Sequence, residues 1–250
     1  MKKLLLSLLA LLFFVSAFCQ EKDQSERGLR NTDRCLILKW APASLEAGKL
    51  TLGGEYHFKK KNSFEMYFGF PTPTTHDFKY DNSTSSLQTR AASVLAGYRY
   101  YLGRRSASGF YVEPYYKYLH HQFSGLLQGD LNGESASFDT HSDYKGNALG
   151  LQMGVQFFIA KTVSIDFFFL GPEANMGTFS TTATDISSIL PWDAVDASDA
   201  EKDIKDALSK IPIVGKNVDV VVDQNTKTVT THYSGFIPGF RCGLSVGIKL

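Results

Sequence analysis

The sequence predicts an all-β fold: an eight-stranded antiparallel transmembrane up-and-down β-barrel with a long, partly helical last extracellular loop. Three observations support this prediction. Apolar and polar side chains alternate with period 2 in eight separate segments. The chain contains 19 Phe, 12 Tyr and 21 Gly but only 20% charged residues, a composition typical of strands with an aromatic outer face. The connections between the segments are alternately short and long, as they are in membrane barrels.

The alternation is clearest at the carboxyl end of the chain. One face of this segment is apolar and the other is small or charged. The apolar face holds Cys242, Leu244, Val246, Ile248 and Leu250, and the other holds Arg241, Gly243, Ser245, Gly247 and Lys249. In a soluble sandwich the apolar face would point inward, whereas in a membrane barrel it points to lipid and the polar face lines the interior.

Similar patterns place the other strands and the connections between them. The eight predicted strands lie near 33–41, 50–58, 64–70, 93–102, 112–118, 149–157, 163–169 and 241–250. Short turns are predicted at 59–62, 103–109 and 160–162, and long loops at 71–86, 124–144 and 171–235. Because tight turns then lie on one side and long loops on the other, both termini of an even-stranded barrel share the side of the turns.

Nine charged residues lie on the faces opposite the apolar rows. We predict that they form an interior polar network, because acids and bases in near balance can pair across a small barrel. Its predicted members are Lys39, Glu55, Glu65, Arg99, Glu113, Lys117, Asp166, Arg241 and Lys249. The alternative is a soluble sheet, in which these charges form a solvated face and the Phe and Tyr rows form the core.

The amino terminus has the features of a signal peptide over residues 1–19. Lys2 and Lys3 precede an apolar run of about a dozen residues, which is shorter than the ~20 of a spanning helix. Cleavage after Cys19 is favoured. Lipidation of Cys19 is the alternative, although the large Phe18 before it disfavours that chemistry. The expected organisation is therefore a signal peptide at 1–19, a periplasmic segment at 20–32, and a barrel at 33–250.

Charge excludes one class of partner. Removal of Lys2 and Lys3 with the signal peptide leaves 24 of the 26 basic residues against 25 acidic ones. A net charge near zero argues against nucleic-acid binding.

Three segments resemble small Gram-negative outer-membrane barrels of the OmpX and OmpA type and, more closely, an outer-membrane barrel family of unknown function. The segments are Leu36-Ile37-Leu38-Lys39-Trp40-Ala41-Pro42, Leu52-Gly53-Gly54-Glu55-Tyr56, and the stretch from Gly239 to Ile248. The resemblance covers most of 33–250. It implies a location in the cell outer membrane, contact with lipid and lipopolysaccharide, and insertion by the outer-membrane assembly machinery. Leu250 departs from the family's usual aromatic last residue.

The last long loop contains an insert at 176–233 with predicted structure of its own. Ser198 and Glu201 form a capping box, and a helical pattern follows until Pro212. A hairpin is predicted from Val218–Val222 and Thr226–Thr231. This insert is either an extracellular surface that binds a protein partner or a satellite that packs on the barrel mouth. Leu190-Pro191-Trp192 is its predicted exposed anchor.

The chain contains few residues in patterns that indicate catalysis. His141-Ser142 and His232-Tyr233-Ser234 are weak matches to a lipid A acyl-modifying enzyme, because a triad is defined by geometry. Adjacent strand residues face opposite ways, so His120 and His121 should not bind one metal ion. No cofactor or metal site is expected.

A narrow pore is a further alternative. Eight strands enclose a space just wide enough for side chains, and bulky residues such as Tyr67, Lys117 and Gln152 would fill it. The favoured interpretation is therefore a non-enzymatic barrel that acts in adhesion, in envelope integrity or within an outer-membrane assembly.

Cys35 and Cys242 are predicted to remain unlinked. In an antiparallel first and last strand, Cys35 lies nearest the Lys249 end, about seven residues or roughly 23 Å from Cys242. A disulfide requires Cα atoms within ~7 Å.

Overall fold

The computed structural model describes residues 34–80, 83–103, 105–131, 134–187, 192, 197–198, 201–202 and 218–250. The expected signal peptide and the 20–32 segment lie outside these ranges. Twelve strands and one short 3₁₀ turn, Pro42–Leu45, are found within them. The strands are β1 Cys35–Ala41, β2 Lys49–Lys59, β3 Asn62–Pro71, β4 Thr74–Tyr80, β5 Ser83–Tyr101, β6 Gly109–Leu131, β7 Glu134–Ile159, β8 Val163–Leu170, β9 Pro172–Asp185, β10 Val218–Asp223, β11 Thr228–Phe240 and β12 Gly243–Lys249.

Eight of the described strands pair in a closed circle, which we call the ring. Its order is β1-β2-β3-β5-β6-β7-β8-β12, and β12 pairs back to β1. In the closing pair, Ile37 lies opposite Lys249 and Trp40 opposite Val246. Each pair in the ring is antiparallel. The predicted all-β antiparallel class is confirmed.

A second sheet region, which we call the wall, continues from one end of the ring. It consists of β4, residues 83–92 of β5, 119–131 of β6, 134–148 of β7, β9, β11 and β10. We call the end of the ring that carries the wall its upper end. The short β2–β3, β5–β6 and β7–β8 turns lie at the lower end.

The wall corrects the prediction of long loops at 71–86 and 124–144. These segments are largely strand: β4 pairs with the start of β5, and β6 pairs with β7 up to Leu131 opposite Glu134. The sequence pattern missed these strands because Ser, Thr and other polar side chains occur on both of their faces, so no apolar row marks the period.

The insert at 176–233 also contains more strand than predicted. β9 and β11 pair from Pro172 to Thr184 and from Phe240 to Thr228. The predicted hairpin is confirmed as β10 and β11, although its second strand begins at Thr228 instead of Thr226. Most of the predicted helix, residues 203–211, lies outside the described residues.

The predicted anchor at Leu190-Pro191-Trp192 is described only at its third residue. The Trp192 indole donates a hydrogen bond to Asp185 Oδ2 at 3.1 Å and is half-buried. This tryptophan is therefore tied to the end of β9 and is not an exposed side chain.

A β-bulge joins the ring to the wall. Along β7, Gly154 pairs with Phe168 but Met153 pairs with Leu170, so Phe169 is an extra residue. One extra residue reverses which alternate side chains point inward. Gly171 fits the crowded junction because an added Cβ would lie 2.7 Å from the Arg241 carbonyl oxygen.

The two described cysteines are unlinked, as predicted. The register of β1 against β12 places Cys35 beyond the Lys249 end of the pair and Cys242 beyond the Val246 end. Separately, no helix within the described ranges is long and apolar enough to cross a membrane.

Candidate functional site

The two faces of the ring have opposite polarity. Large apolar side chains cover the outer face, where Leu38 is 52% exposed, Leu151 49% and Ile248 55%. Charged residues on the inner face, such as Lys39 and Arg99, are buried. Because successive strand residues point to opposite faces, the same alternation produces both surfaces. The inner face is where charged and hydrogen-bonding groups converge, and we treat it as the candidate site.

Arg99 of β5 lies at the centre of the lower part of this interior. Its Nε donates to Glu113 Oε2 at 2.5 Å, and its Nη2 donates to Glu65 Oε2 at 2.5 Å. Its Nη1 donates to Asp166 Oδ2 at 2.6 Å and to Glu55 Oε2 at 3.3 Å. One guanidinium therefore contacts carboxylates from four different strands, which its planar set of five N–H donors allows.

Lys39 of β1 shares three of these carboxylates. Its Nζ lies 2.5 Å from Glu55 Oε2, 2.8 Å from Glu65 Oε1 and 3.0 Å from Asp166 Oδ2. We call these two cations and four carboxylates the lower cluster; its members are Lys39, Arg99, Glu55, Glu65, Glu113 and Asp166. Four acids face two bases, so neutral donors must satisfy the remaining oxygens.

Neutral donors bind several of the remaining carboxylate oxygens, whereas Glu113 Oε1 has no partner among the described residues. Tyr101 and Ser63 donate to Glu55 Oε1 at 2.7 and 2.6 Å. Tyr111 donates to Asp166 Oδ1 at 2.6 Å, and Gln152 donates to Glu113 Oε2 at 2.7 Å. Buried charges are tolerated when they are paired and hydrogen-bonded in this way.

A second group of charges lies above the lower cluster, and we call it the upper cluster: Lys49, Lys117, Glu173 and Arg241. Lys117 Nζ lies 2.5 Å from Glu173 Oε2. Arg241 lies over the Phe168 ring, at 4.2 Å from its centroid, and donates a hydrogen bond to Gln152 Oε1. Lys49 Nζ donates to Ser93 Oγ at 3.0 Å.

The nine predicted interior residues divide between these locations. Six form the lower cluster, and Lys117 and Arg241 belong to the upper cluster. Lys249 is not part of the interior network: its side chain is exposed, with Nζ 5.7 Å from the Phe158 ring centroid. It lies at the lower end of the last strand, beyond the layer in which the ring strands close around buried side chains.

Sequence reasoning missed Lys49 and Glu173. Glu173 fell within a predicted loop, although Glu173 and Asn175 alternate with Pro172, Ala174 and Met176 in the pattern of a strand. Lys49 directly precedes the first residue of the predicted second strand, and an extension of that strand by one residue would have placed it on the inner face.

Five of the six histidines lie in the wall or near it, whereas His57 is buried at the lower end of the ring, with Nε2 2.7 Å from Glu55 Oε1. His120 and His121 face opposite sides, as predicted: His120 Nε2 lies 2.7 Å from Asp143 Oδ2, and His121 Nε2 lies 2.6 Å from Thr89 Oγ1. His141 and His232 make no side-chain hydrogen bond or ion pair to any described carboxylate.

Two groups of the wall have displaced pKa values. Burial, together with the nearby positive charges of Lys49 and His120, lowers the pKa of His121 to about 4. Burial alone would raise the pKa of Asp143, but hydrogen bonds from His120, Lys145 and Gln122 outweigh it and hold this pKa at about 2. His121 is thus neutral and Asp143 ionised at neutral pH.

The arrangement closes the ring interior. Lys39 and its three carboxylate partners have no exposed side-chain area, so water does not reach them. Among the residues that the structure describes, no group of three His, Cys, Asp or Glu side chains is placed to hold a metal ion. The geometry is that of a packed polar core.

Replacement of Arg99 by Met should destabilise the protein by roughly 3–5 kcal/mol, because it leaves four carboxylates without their shared cation. The measurement is urea unfolding of protein refolded into lipid vesicles or detergent. Arg90→Met on the same strand is the control, because Arg90 is exposed. Equal midpoints for the two variants would contradict a structural role for the lower cluster.

The wall should lose stability on acidification through His121. The folded-state pKa of about 4 lies below the ordinary value of about 6.5. The stabilisation that neutral His121 provides is therefore fully present above pH 6.5. It falls as the pH drops towards 4, because the unfolded state binds the proton at a higher pH than the folded state does. Since the His121 imidazole is partly in contact with water, we expect a loss of about 1 kcal/mol.

The readout for His121 is the difference between the wild type and His121→Gln in thermal unfolding at pH 7 and pH 4. The His121→Gln variant should show the smaller acid-induced loss. His232→Gln, at an exposed position of the wall, should behave as the wild type does. A loss of the same size in all three proteins would contradict the prediction.

Comparisons with known proteins provide little further information. No family model matches the chain. No curated protein matches it either. The solved structure of CarO from Acinetobacter baumannii is similar over 86% of this chain and 96% of its own, with 9% identity and a TM-score of 0.40. The strand pairing by itself defines the fold of this chain.

Proposed function

We propose that this chain is a non-enzymatic protein of the cell outer membrane, in which the ring spans the bilayer as a side-chain-filled β-barrel. The observation that carries the proposal is the polarity of the ring. Its charges are buried inside, and its exposed outer face is apolar. A soluble sheet protein has the reverse arrangement, whereas a membrane barrel requires this one.

The dimensions and hydrogen bonding of the ring support this proposal. β2 contains 11 residues and β3 contains 10, and a tilted transmembrane strand needs about 9–11. β1, β8 and β12 are shorter, with 7, 8 and 7 residues. In lipid, every backbone N–H and C=O must be paired, which a sheet achieves only by closing on itself. The pairing of β12 with β1 provides that closure.

Exposed tyrosines lie near both ends of the ring. Tyr56, Tyr98 and Tyr100 are near the lower turns, and Tyr116 and Tyr118 are near the wall. Tyr side chains are enriched at both interfaces of a bilayer, because their aromatic carbons are apolar and their hydroxyl group is polar. These two levels are consistent with the upper and lower limits of the membrane.

Lipopolysaccharide is the proposed neighbour above Tyr118. The next outward residues along the strand pairs include Arg90 of β5, His120 of β6 and Lys145 of β7. Arg90 and Lys145 are exposed. Cationic side chains at this height would face the phosphate groups of an outer leaflet, to which Arg and Lys bind well.

The proposed orientation places the wall outside the cell and the short turns in the periplasm, as in barrels with long outer loops. The first residue of β1, Cys35, and the last residue of β12, Lys249, would then lie at the periplasmic end. The proposed organisation of the chain keeps 1–19 as a signal peptide, 20–32 as a periplasmic segment and 33–250 as the barrel. Insertion would depend on the outer-membrane assembly machinery.

The role of the protein would then lie in its surfaces. We favour adhesion, envelope integrity or membership of an outer-membrane assembly, with a partner that binds through the insert at 176–233. A lipid A acyl-modifying enzyme is disfavoured because His141 and His232 lack a described carboxylate partner. A narrow pore is disfavoured because the lower cluster fills the interior.

A charge introduced on the outer face of the ring should destabilise the protein in lipid. Leu151→Arg should cost about 2–4 kcal/mol, because position 151 would lie within the hydrocarbon region. His141→Arg is the matched control on the outward face of the same strand, ten residues away in the wall. Unfolding in urea from lipid vesicles provides the measurement, and equal stabilities would argue for a soluble protein.

The wall should be accessible on intact cells. An epitope tag inserted at the exposed Gln224, in the β10–β11 turn, should bind antibody without permeabilisation. A tag at the exposed Lys161, in the β7–β8 turn, should bind only after permeabilisation. The opposite result would overturn the orientation, and binding at neither site on permeabilised cells would place the protein elsewhere.

A further inference from the structure

We propose that the upper cluster is a binding site for a small soluble anion that carries a phosphate or carboxylate group. Lys117 contacts Glu173, and Arg241 lies 5.4 Å from the ring of Tyr115, whose hydroxyl donates to Glu173. Lys49 is within electrostatic range of all three charged residues, so three cations share a single acid. This inference goes beyond the proposed function: it depends on the side-chain geometry of the ring and not on the membrane in which the ring lies.

Both carboxylate oxygens of Glu173 contact the same cation, Lys117. Its two oxygens lie 2.7 and 2.5 Å from Lys117 Nζ, and Tyr115 donates to Oε1 at 2.8 Å. The side chain of Glu173 is 4% exposed. With both oxygens engaged, this carboxylate has little capacity left to neutralise a second base.

Lys49 lies within electrostatic range of this pair and has no described carboxylate partner. Its Nζ donates to Ser93 Oγ at 3.0 Å, which uses one of three available protons. Lys117, Arg241 and Glu173 are its charged neighbours. Among the described residues, no carboxylate oxygen lies within ion-pair distance of Lys49 Nζ.

Arg241 is held in place by contacts other than ion pairs. Its guanidinium lies 4.2 Å from the Phe168 centroid and 5.4 Å from the Tyr115 centroid, and one Nη donates to Gln152. No described carboxylate is within ion-pair distance of Arg241 either. Its orientation is therefore set before any ligand arrives, which lowers the entropic cost of binding.

Charge is separated along the axis of the ring. The lower cluster has four acids and two bases, and the upper cluster has three bases and one acid. Neutral donors bind oxygens of Glu55, Asp166 and Glu113 in the lower cluster. The side chains of Lys49 and Arg241 donate only to the neutral oxygens of Ser93 and Gln152 among the described residues, and neither has a described carboxylate partner. Partly buried cations without a counter-charge are costly, and a bound anion would offset that cost.

The upper cluster is less buried than the lower cluster and lies towards the wall. The Lys117 side chain is 15% exposed, whereas the Lys39 side chain in the lower cluster is fully buried. His121 and Thr89 line the inner face of the wall above it. The proposed ligand would enter from the wall side, because the lower cluster below is fully buried.

The donor set determines the class of ligand. A planar guanidinium provides parallel N–H donors that match two oxygens of a phosphate or carboxylate, and two ammonium groups add charge with less geometric constraint. This set favours a compact oxyanion over an apolar or cationic ligand.

The test uses full-length mature protein refolded in a neutral detergent, with inorganic phosphate and citrate as probes at matched ionic strength in chloride. Binding should raise the thermal unfolding temperature in a saturable manner. Lys49→Gln should weaken the apparent affinity roughly tenfold, since it removes one charge-assisted hydrogen bond. Lys145→Gln, on the outer face of the wall, should bind as the wild type does.

Phosphatidic acid in the micelles forms a separate arm, which distinguishes a free anion from a lipid headgroup. We expect the lipid to cause no Lys49-dependent change in the unfolding temperature, because the upper cluster faces the interior. Equal phosphate or citrate titrations for wild type and Lys49→Gln would overturn the proposal, as would a shift that chloride alone reproduces. If only phosphatidic acid raised the unfolding temperature in a Lys49-dependent manner, the proposal of a soluble ligand would be overturned.

Discussion

Closure of the ring by β1 and β12 is the constraint on which the rest of the structure depends. Once β12 pairs with β1, each strand of the ring has two neighbours, and its side chains are divided between a closed interior and an outer surface. The interior must then be filled and its polar groups satisfied. The outer surface is left with the apolar half of each strand.

The lower cluster follows from that closure. Arg99 and Lys39 come from strands far apart in the sequence, and only the closed ring brings both within reach of Asp166. Gly97 makes room for this packing, because an added Cβ would lie 2.0 Å from Glu113 Oε1. The dense interior is thus a consequence of curvature as much as of charge, since eight strands leave space for little else.

The bulge at Phe169 links the closed ring to the open wall and creates the upper cluster. Without the extra residue, the inward and outward positions of β9 would be exchanged, and Glu173 would point away from Lys117. At the same junction Arg241 lies beside Gly171, and the backbone N–H of Arg241 donates to the Gly171 carbonyl oxygen at 2.7 Å. One irregularity in β8 therefore determines which residues of β9 face the interior.

The sequence by itself determined the all-β class, the eight segments of the ring and the face on which Lys39, Glu55, Arg99 and Asp166 lie, because period-2 alternation is a local property of a strand. It also indicated the separation of Cys35 from Cys242. Only the tertiary structure decided which charges meet, since register and curvature act between distant strands. For the same reason Lys249 lies outside the network, while Lys49 and Glu173 join Lys117. The wall strands were hidden because Ser- and Thr-rich segments show no apolar row, and their pairing depends on the strands beside them.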